Sequence, residues 1–249
     1  MLDKGLIKKN FSRCVNTYNN SAVIQVLMAD KLVEMLQKQG GVCFENVLEV
    51  GAGTGLLTSR MIDDFKIRNY FANDIINNYQ AFLLAFSPKI KFLDGDIEEI
   101  ELTTKFDLII ANAVFQWIED IKKFLQKIEN SLVDEGYLGF TTFNKGNFKE
   151  INDVLGVSLN YLDKAELICI LSERFNIMEV VEMEEKLYFD DFVSVLQHIK
   201  ATGANNLGPT KLSKAQLQEK GLEYKKKYSK EGKLSLTYRP ICVICSCNK

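Results

Sequence analysis

The chain has 249 residues, 47% hydrophobic and 26% charged, with 15 glycines and 3 prolines; that supports a large unstapled core and excludes a disordered or collagen-like polymer. Thirty-one Lys and Arg against 33 Asp and Glu leave a net charge of −2, so the whole molecule is not a polycation built to coat nucleic acid. The opening MLDKGLIKKNFSR has no apolar stretch of signal-peptide length, and no run of about 18 apolar residues follows. A secreted or membrane-spanning protein is therefore not expected, and the six cysteines read as reduced thiols of a cytoplasmic chain.

Two helical patterns open the sequence. In the second, Val23, Val26, Leu27, Asp30, Val33, Leu36 and Gln37 put their apolar members on one face, with Asn20 and Ser21 as cap oxygens and Gly40-Gly41 as the stop. Val47-Leu48-Glu49-Val50 is a short strand running into Gly51-Ala52-Gly53-Thr54-Gly55, and 56–65 reads as helix. The rhythm then repeats: strands over 70–74, 90–93, 106–111 and 137–143, helices over 78–86 and 121–132. Strands separated by helices predict βαβ units and a parallel sheet with right-handed crossovers. Later, 163–173 and 189–200 read as helices, 177–181 as strand, 213–228 as a basic helix and 234–247 as a terminal strand. From Lys200 to Lys233 there are nine lysines and three glutamates, a local excess set against an acidic remainder.

The glycine loop lies between a strand and a helix, where such a loop carries meaning. Without Cβ atoms the backbone turns tightly and lets a ligand lie against it. The dinucleotide fingerprint is G-x-G-x-x-G; here the spacing is G-x-G-x-G, with Glu49 two residues ahead. A carboxylate there repels a pyrophosphate and suits an ammonium. S-adenosylmethionine carries an ammonium and a sulfonium and no phosphate. Asp74, beside Ile75, ends the second strand and can accept both ribose hydroxyls. Asp96 ends the third and can accept from the adenine amine while Ile97 packs on the ring. Asn112, next to Ala113, ends the fourth and borders the same cleft. These positions fall at successive strand carboxyl ends, where open α/β sheets bind ligands. The competing reading is a nicotinamide-dependent oxidoreductase.

Glu49-Val50-Gly51-Ala52-Gly53-Thr54-Gly55 is similar to motif I of class I S-adenosylmethionine-dependent methyltransferases. That implies an α/β fold, Rossmann-like: a seven-stranded, mostly parallel sheet with helices on both faces and an antiparallel last strand. Over nearly its whole length the chain further resembles the malonyl-acyl-carrier-protein O-methyltransferases of biotin synthesis. Lys9-Asn10-Phe11-Ser12-Arg13 with Tyr18, Asn112-Ala113-Val114-Phe115-Gln116-Trp117, Phe140-Thr141-Thr142-Phe143, His198-Ile199-Lys200-Ala201-Thr202-Gly203-Ala204-Asn205 and Leu236-Thr237-Tyr238 carry the resemblance. Cys14 stands where alanine is usual, and Arg239-Pro240 departs after the final L-T-Y.

The resemblance implies methylation of the free carboxyl of malonyl-acyl carrier protein, giving the methyl ester and S-adenosylhomocysteine. Another small carboxylate or a quinone precursor is the alternative substrate. A carboxylate with pKa of roughly 4 is already the nucleophile at neutral pH, so the task is to position an anion, and cations and donors are the candidates. Arg13 offers a guanidinium fork and Tyr18 a hydroxyl; Lys200 and His198 are further candidates, each with a structural role as its alternative. Trp117 is expected in the cleft floor. The expected organisation is one domain over 1–249: an N-terminal helical lid (1–40) with Tyr18 over the transfer point, a cofactor half (41–145) and a substrate half (146–249) with a basic insert (201–233). Because acyl carrier proteins are acidic, Lys211, Lys214, Lys225, Lys226 and Lys227 are candidate docking residues, with a merely solvated lysine face as the alternative. Neither nucleic acid nor membrane is an expected partner. Cys242-x-x-Cys245 lacks the further ligands a zinc site needs. In a strand Cys245 and Cys247 share one face and Cys242 takes the other, as buried hydrophobes do, while Pro240 predicts a bulge or a frayed strand start.

Overall fold

The computed structural model describes residues 3–15, 17–41, 43–204 and 212–247. The N-terminal helices are α1 (Lys4–Cys14), α2 (Tyr18–Ser21) and α3 (Val23–Lys38). There follow β1 (Cys43–Val50), α4 (Leu56–Asp64), β2 (Lys66–Asp74), α5 (Gln80–Phe86), β3 (Lys91–Asp94), β4 (Phe106–Asn112), α6 (Ile121–Ser131) and β5 (Leu132–Phe143). The second half comprises α7 (Lys149–Leu155), α8 (Lys164–Ser172), β6 (Phe175–Glu182), β7 (Glu185–Phe189), α9 (Phe192–Ala201), α10 (Lys214–Tyr228), β8 (Ser229–Lys230), β9 (Lys233–Tyr238) and β10 (Pro240–Cys247). Aspartate and serine side chains start several helices by accepting orphan N–H groups: Asp120 from Lys123 at 3.0 Å, Asp191 from Ser194 at 2.7 Å, and capping boxes at Asp163/Glu166 and Ser213/Gln216.

Seven strands form one sheet in the order β3-β2-β1-β4-β5-β10-β6, with β10 antiparallel to both neighbours. This is the expected fold class. Sequence order reverses between β1 and β4, so the carboxyl ends of β1 to β4 open onto one crevice. Alternation along each strand supplies two core layers. Leu48, Val50, Phe106, Ile109, Phe140, Val243 and Cys245 face one layer, while Val47, Leu108, Ile110, Cys242 and Ile244 face the other. The three C-terminal cysteines divide as their spacing predicts: Cys242 lies in one layer, Cys245 and Cys247 in the other. Burial pushes the thiols of Cys242 and Cys245 up to about 12.

Several boundaries differ from expectation. Helix α3 buries Ile24, Met28, Leu32 and Met35, whereas Val23 and Leu27 of the anticipated face are exposed. Its N-cap is Ala22, with no side-chain cap from Asn20 or Ser21. Two apolar rows compete on this helix, and the row that meets β5 and β10 is the buried one. Ala29, Leu32 and Leu36 pack α3 into the sheet layer, so this helix is part of the core. The run over 234–247 is not one strand. Tyr238 ends β9 in a separate three-stranded sheet, β7-β9-β8, and Pro240 starts β10 in the main one. Proline therefore marks the change of sheet; the irregularity in β10 falls later, between Ile244 and Cys245. Around the small sheet a third cluster gathers Phe148, Val195, Tyr224, Leu236 and Tyr238 with Ile24 and Met28 of α3. No helix among the described residues is long and apolar enough to cross a membrane.

Cys245 packs in a fully apolar layer, so Cys245→Ser buries a hydroxyl there. Stability is expected to fall by about 1–3 kcal/mol, read as a lower urea midpoint with an unchanged m-value.

Candidate active site

The three loop glycines all have positive φ, at 63°, 54° and 87° for Gly51, Gly53 and Gly55. At Gly51 the need is also steric: an added Cβ would stand 2.5 Å from Val114. Asp74 fixes the loop from the next strand, accepting from the N–H of Gly53 at 2.9 Å and of Ile76 at 2.8 Å. Each carboxyl oxygen retains a further acceptor position. Asn73 donates to the carbonyls of Leu93 and Gly95, both at 2.9 Å, and so joins the ends of β2 and β3.

These strand ends wall a cavity of about 850 Å³. Of the cofactor residues expected, Glu49, Gly51, Ala52, Gly53, Asp74, Ile75, Ile97, Asn112 and Ala113 line it. Gly55 stands just behind as the left-handed N-cap of α4. Asp96 does not line it. Its carboxylate turns back to accept the Glu98 N–H at 3.0 Å and pairs with Lys4 of α1 at 3.2 Å, while its neighbours Gly95 and Ile97 form the wall. The expected role of Asp96 toward an adenine amine is thus not supported by its direction. Ile7, Phe11, Tyr18 and Tyr79 complete the cavity. Which α1 residues turn toward the cavity was not legible in the sequence, because α1 has no strong apolar face.

The charges of this cavity are one-sided. Glu49 and Asp74 supply carboxyls, and among the described residues no Lys, Arg or His side chain lines it. Glu49 is buried and accepts from Thr58 at 2.5 Å and Tyr70 at 2.6 Å. Burial outweighs those bonds and pushes Glu49 up to about 7; burial likewise pushes Asp74 up to about 6 against the bonds of the loop. Two carboxyls held near neutrality by desolvation are poised for a cationic ligand and would repel a diphosphate.

A second, smaller cavity of about 380 Å³ adjoins it, and Phe11, Tyr18, Ala113 and Trp117 line both. Ala113 holds a left-handed φ of 57°, stabilised by its N–H to Thr141 Oγ1 at 2.9 Å. Gln25, Gln116, Asn147, Tyr161, Thr202 and Tyr238 bring polar groups to the second cavity. The N-terminal cover is tied down along its length. Lys4 reaches Glu98 at 2.5 Å, Cys14 Sγ donates to the Lys200 carbonyl at 3.0 Å, and Thr54 donates to Asn19 at 2.5 Å. Phe11 packs edge-on against Trp117 with centroids 5.6 Å apart. Gly203 is required there, since a Cβ on it would meet the Phe11 ring at 2.5 Å.

Three candidate substrate residues stand elsewhere. Arg13 is exposed and lines neither cavity; two residues beyond Phe11 on a helix it points about 200° away from the inward face. Lys200 is exposed, and its carbonyl, not its ammonium, makes the recorded contact. His198 lies outside both cavities but holds Tyr238 Oη at 2.7 Å from Nε2. Burial lowers its pKa, so the ring is a neutral support for that tyrosine. Tyr18 lines both cavities, and burial followed by the Asp74 charge raises its phenol well above the usual range, so its hydroxyl stays neutral. Asn205 and Lys211 lie outside the described residues.

A family model described as a methyltransferase domain matches residues 48–140. A malonyl-[acyl-carrier protein] O-methyltransferase of Calditerrivibrio nitroreducens is 39% identical over 97% of this chain and 96% of its own length. One from Chlorobium luteolum is 34% identical, over 97% and 94%. The chain belongs to the malonyl-[acyl-carrier protein] O-methyltransferase family. Its fold is shared more widely: a methyltransferase of Bacillus halodurans superposes with a TM-score of 0.64 at 14% identity, covering 87% of this chain and 98% of that one. The N-methyltransferase NodS of Bradyrhizobium japonicum, solved with S-adenosylhomocysteine, gives 0.58 at 13% identity, covering 94% and 100%. In this chain the late Thr202-Gly203-Ala204 segment has a structural role: Thr202 and Ala204 line the second cavity and Gly203 seats Phe11.

The raised carboxyls make stability depend on pH. Glu49 and Asp74, ordinarily 4.5 and 3.8, bind more protons folded than unfolded. Their contribution is full below the unfolded values and is lost as pH rises through about 6 to 7. The ligand-free Tm is expected to decline over this window, and Glu49→Gln, which keeps the side chain's shape and one oxygen to accept from Thr58 and Tyr70 but cannot ionise, to flatten the decline.

Proposed function

We propose that this chain transfers the methyl group of S-adenosylmethionine to the free carboxyl of a malonyl group carried on acyl carrier protein, the reaction named for its relatives. The observation that carries the cofactor half is the one-sided charge of the larger cavity, with Glu49 and Asp74 and no lining cation. Glu49 suits the ammonium and the Asp74 oxygens the ribose hydroxyls; the Gly51–Gly55 backbone lets the ligand approach, and Ile75 and Ile97 offer apolar walls for the base. When bound, S-adenosylmethionine supplies a methyl on a positively charged sulfur: a carboxylate oxygen takes it, and the electron pair of the broken S–C bond stays on sulfur.

No proton moves in that exchange, so the chain needs no general base. Its residues have to bring an anion in line and keep water away. Phe11, Tyr18, Ala113 and Trp117, which line both cavities, form the junction at which the two ligands meet. Residues 3–21 of the N-terminus act as the lid over it, with Tyr18 as a neutral donor at the transfer point.

For the carrier protein, the basic helix α10 is the docking surface. Lys214, Lys225 and Lys226 are exposed, and Lys225 and Lys226 lie one helical turn from Leu222, which is 71% exposed; charge and an apolar centre together suit an acidic helical partner. Lys227 is removed from this set, because its ammonium lies 2.9 Å from Asp153 and 3.0 Å from Glu223.

Incubation with methyl-labelled cofactor and malonyl-carrier protein is expected to give a labelled, base-labile ester, and acetyl-carrier protein none. Label absent from malonyl-carrier protein, with the cofactor bound, refutes the substrate. Reversing Lys225 and Lys226 to Glu is expected to raise KM for the carrier-bound substrate several-fold and leave malonyl-coenzyme A unaffected; equal effects on both refute the docking role.

A further inference from the structure

Most polar groups of the second cavity are already matched. Gln116 donates to the Ala113 carbonyl at 2.7 Å and accepts from Thr142 at 3.0 Å. Asn147 donates to Tyr161 at 3.0 Å and accepts from the Arg239 N–H at 3.0 Å. Thr202 donates to the Ile199 carbonyl at 3.0 Å, and Tyr238 is held by His198. Two groups are left over. Among the described residues, the buried side-chain polar atoms without a hydrogen-bond partner are Gln25 Oε1 and Trp117 Nε1, and both residues line this cavity.

Gln25 is 6% and Trp117 9% exposed. An unbonded polar atom at such depth destabilises the empty protein, and an apolar side chain of similar shape would remove the cost. The pair is also complementary in kind, since an indole N–H only donates and an amide oxygen only accepts. A malonyl thioester on a pantetheine arm presents the matching pair: carboxylate oxygens that only accept, and amide N–H groups beyond the sulfur.

We propose that Trp117 Nε1–H binds the free carboxylate of the substrate, and that Gln25 Oε1 accepts from an amide N–H of its thioester arm. This rests on the methyl-transfer reading above. Trp117 lines both cavities and so stands at their junction, where the carboxylate has to arrive; Gln25 lines only the second, where the arm would follow. The Gln25 backbone is fixed there by Asn112 Nδ2 to its carbonyl at 3.0 Å.

A neutral seat also suits the chemistry. Among the described residues, no Lys, Arg or His side chain lines the second cavity. Opposite charges vanish as the methyl moves, so a guanidinium on the carboxylate would stabilise the reactant anion more than the transition state and slow the step. A neutral N–H orients the anion and leaves its lone pair reactive. Arg13 and Lys200, outside both cavities, agree with this division.

Trp117→Phe and Gln25→Met in the full chain test the assignment. Wild-type turnover of malonyl-carrier protein comes first; its absence overturns the functional reading and this proposal with it. Calorimetry then compares, without cofactor, unreactive malonyl thioethers with and without the arm amide. Trp117→Phe is expected to weaken both ligands roughly tenfold or more. Gln25→Met is expected to weaken only the amide-bearing one, by about fivefold, with an unchanged or higher Tm. Cofactor affinity stays within about twofold in Gln25→Met, whose side chain belongs only to the second cavity. Wild-type affinity in either variant, or a fall in Tm for Gln25→Met with equal loss for both ligands, overturns the proposal.

Discussion

Two buried carboxyls that face a cavity with no cation set the terms for the rest of the molecule. Glu49 and Asp74 sit at the ends of β1 and β2, and burial pushes them to about 7 and about 6. Such groups are costly in a folded chain and are retained where a ligand neutralises them. The glycine loop depends on the same pair, since Asp74 holds the Gly53 N–H and the Thr58 beyond it holds Glu49. Fold and ligand preference therefore come from one arrangement: the strand order opens the crevice, and its acids decide that a cation enters.

The second cavity is built on the opposite plan. It is polar but uncharged, and reaches the first through Phe11, Tyr18, Ala113 and Trp117. Under the proposed reaction the anionic reactant meets its positive partner at the junction lined by Phe11, Tyr18 and Trp117. Lys4, bridging α1 to Asp96 and Glu98, and Gly203, seating Phe11, hold α1 in place beside it. On the proposed reading, positive charge on α10 serves a different task, the capture of a partner from solution.

Local motifs were readable in the sequence. The strand-glycine-helix context and the acids at successive strand ends place Glu49, Asp74 and Asn112 from spacing alone, and the alternation of Cys242, Cys245 and Cys247 assigns their layers. Side-chain direction across non-local contacts was not readable. Arg13 and Phe11 lie two residues apart, and only the packing of α1 against Trp117 decides which one turns inward. Asp96 follows the expected strand end but finds Lys4, a partner 92 residues away. The apolar rows of α3 compete, and the sheet selects the less obvious one. The small sheet needs the pairing of β7 with β9 across a helix pair, which no local pattern announces. Trp117 was expected in the cleft, but the unpaired state of its Nε1 and of Gln25 Oε1 was hidden for the same reason, because an unpaired atom is recognised only once every neighbour is placed.

The most direct test of the buried acids is the proton count of cofactor binding. Titration calorimetry of S-adenosylmethionine into the protein at about pH 6.5, in buffers of different ionisation enthalpy, should show release of a substantial fraction of a proton per site as the arriving cation ionises Glu49 and Asp74. Glu49→Gln should reduce that release. Tight binding with no proton released, or preferential binding of a nicotinamide dinucleotide, would contradict it.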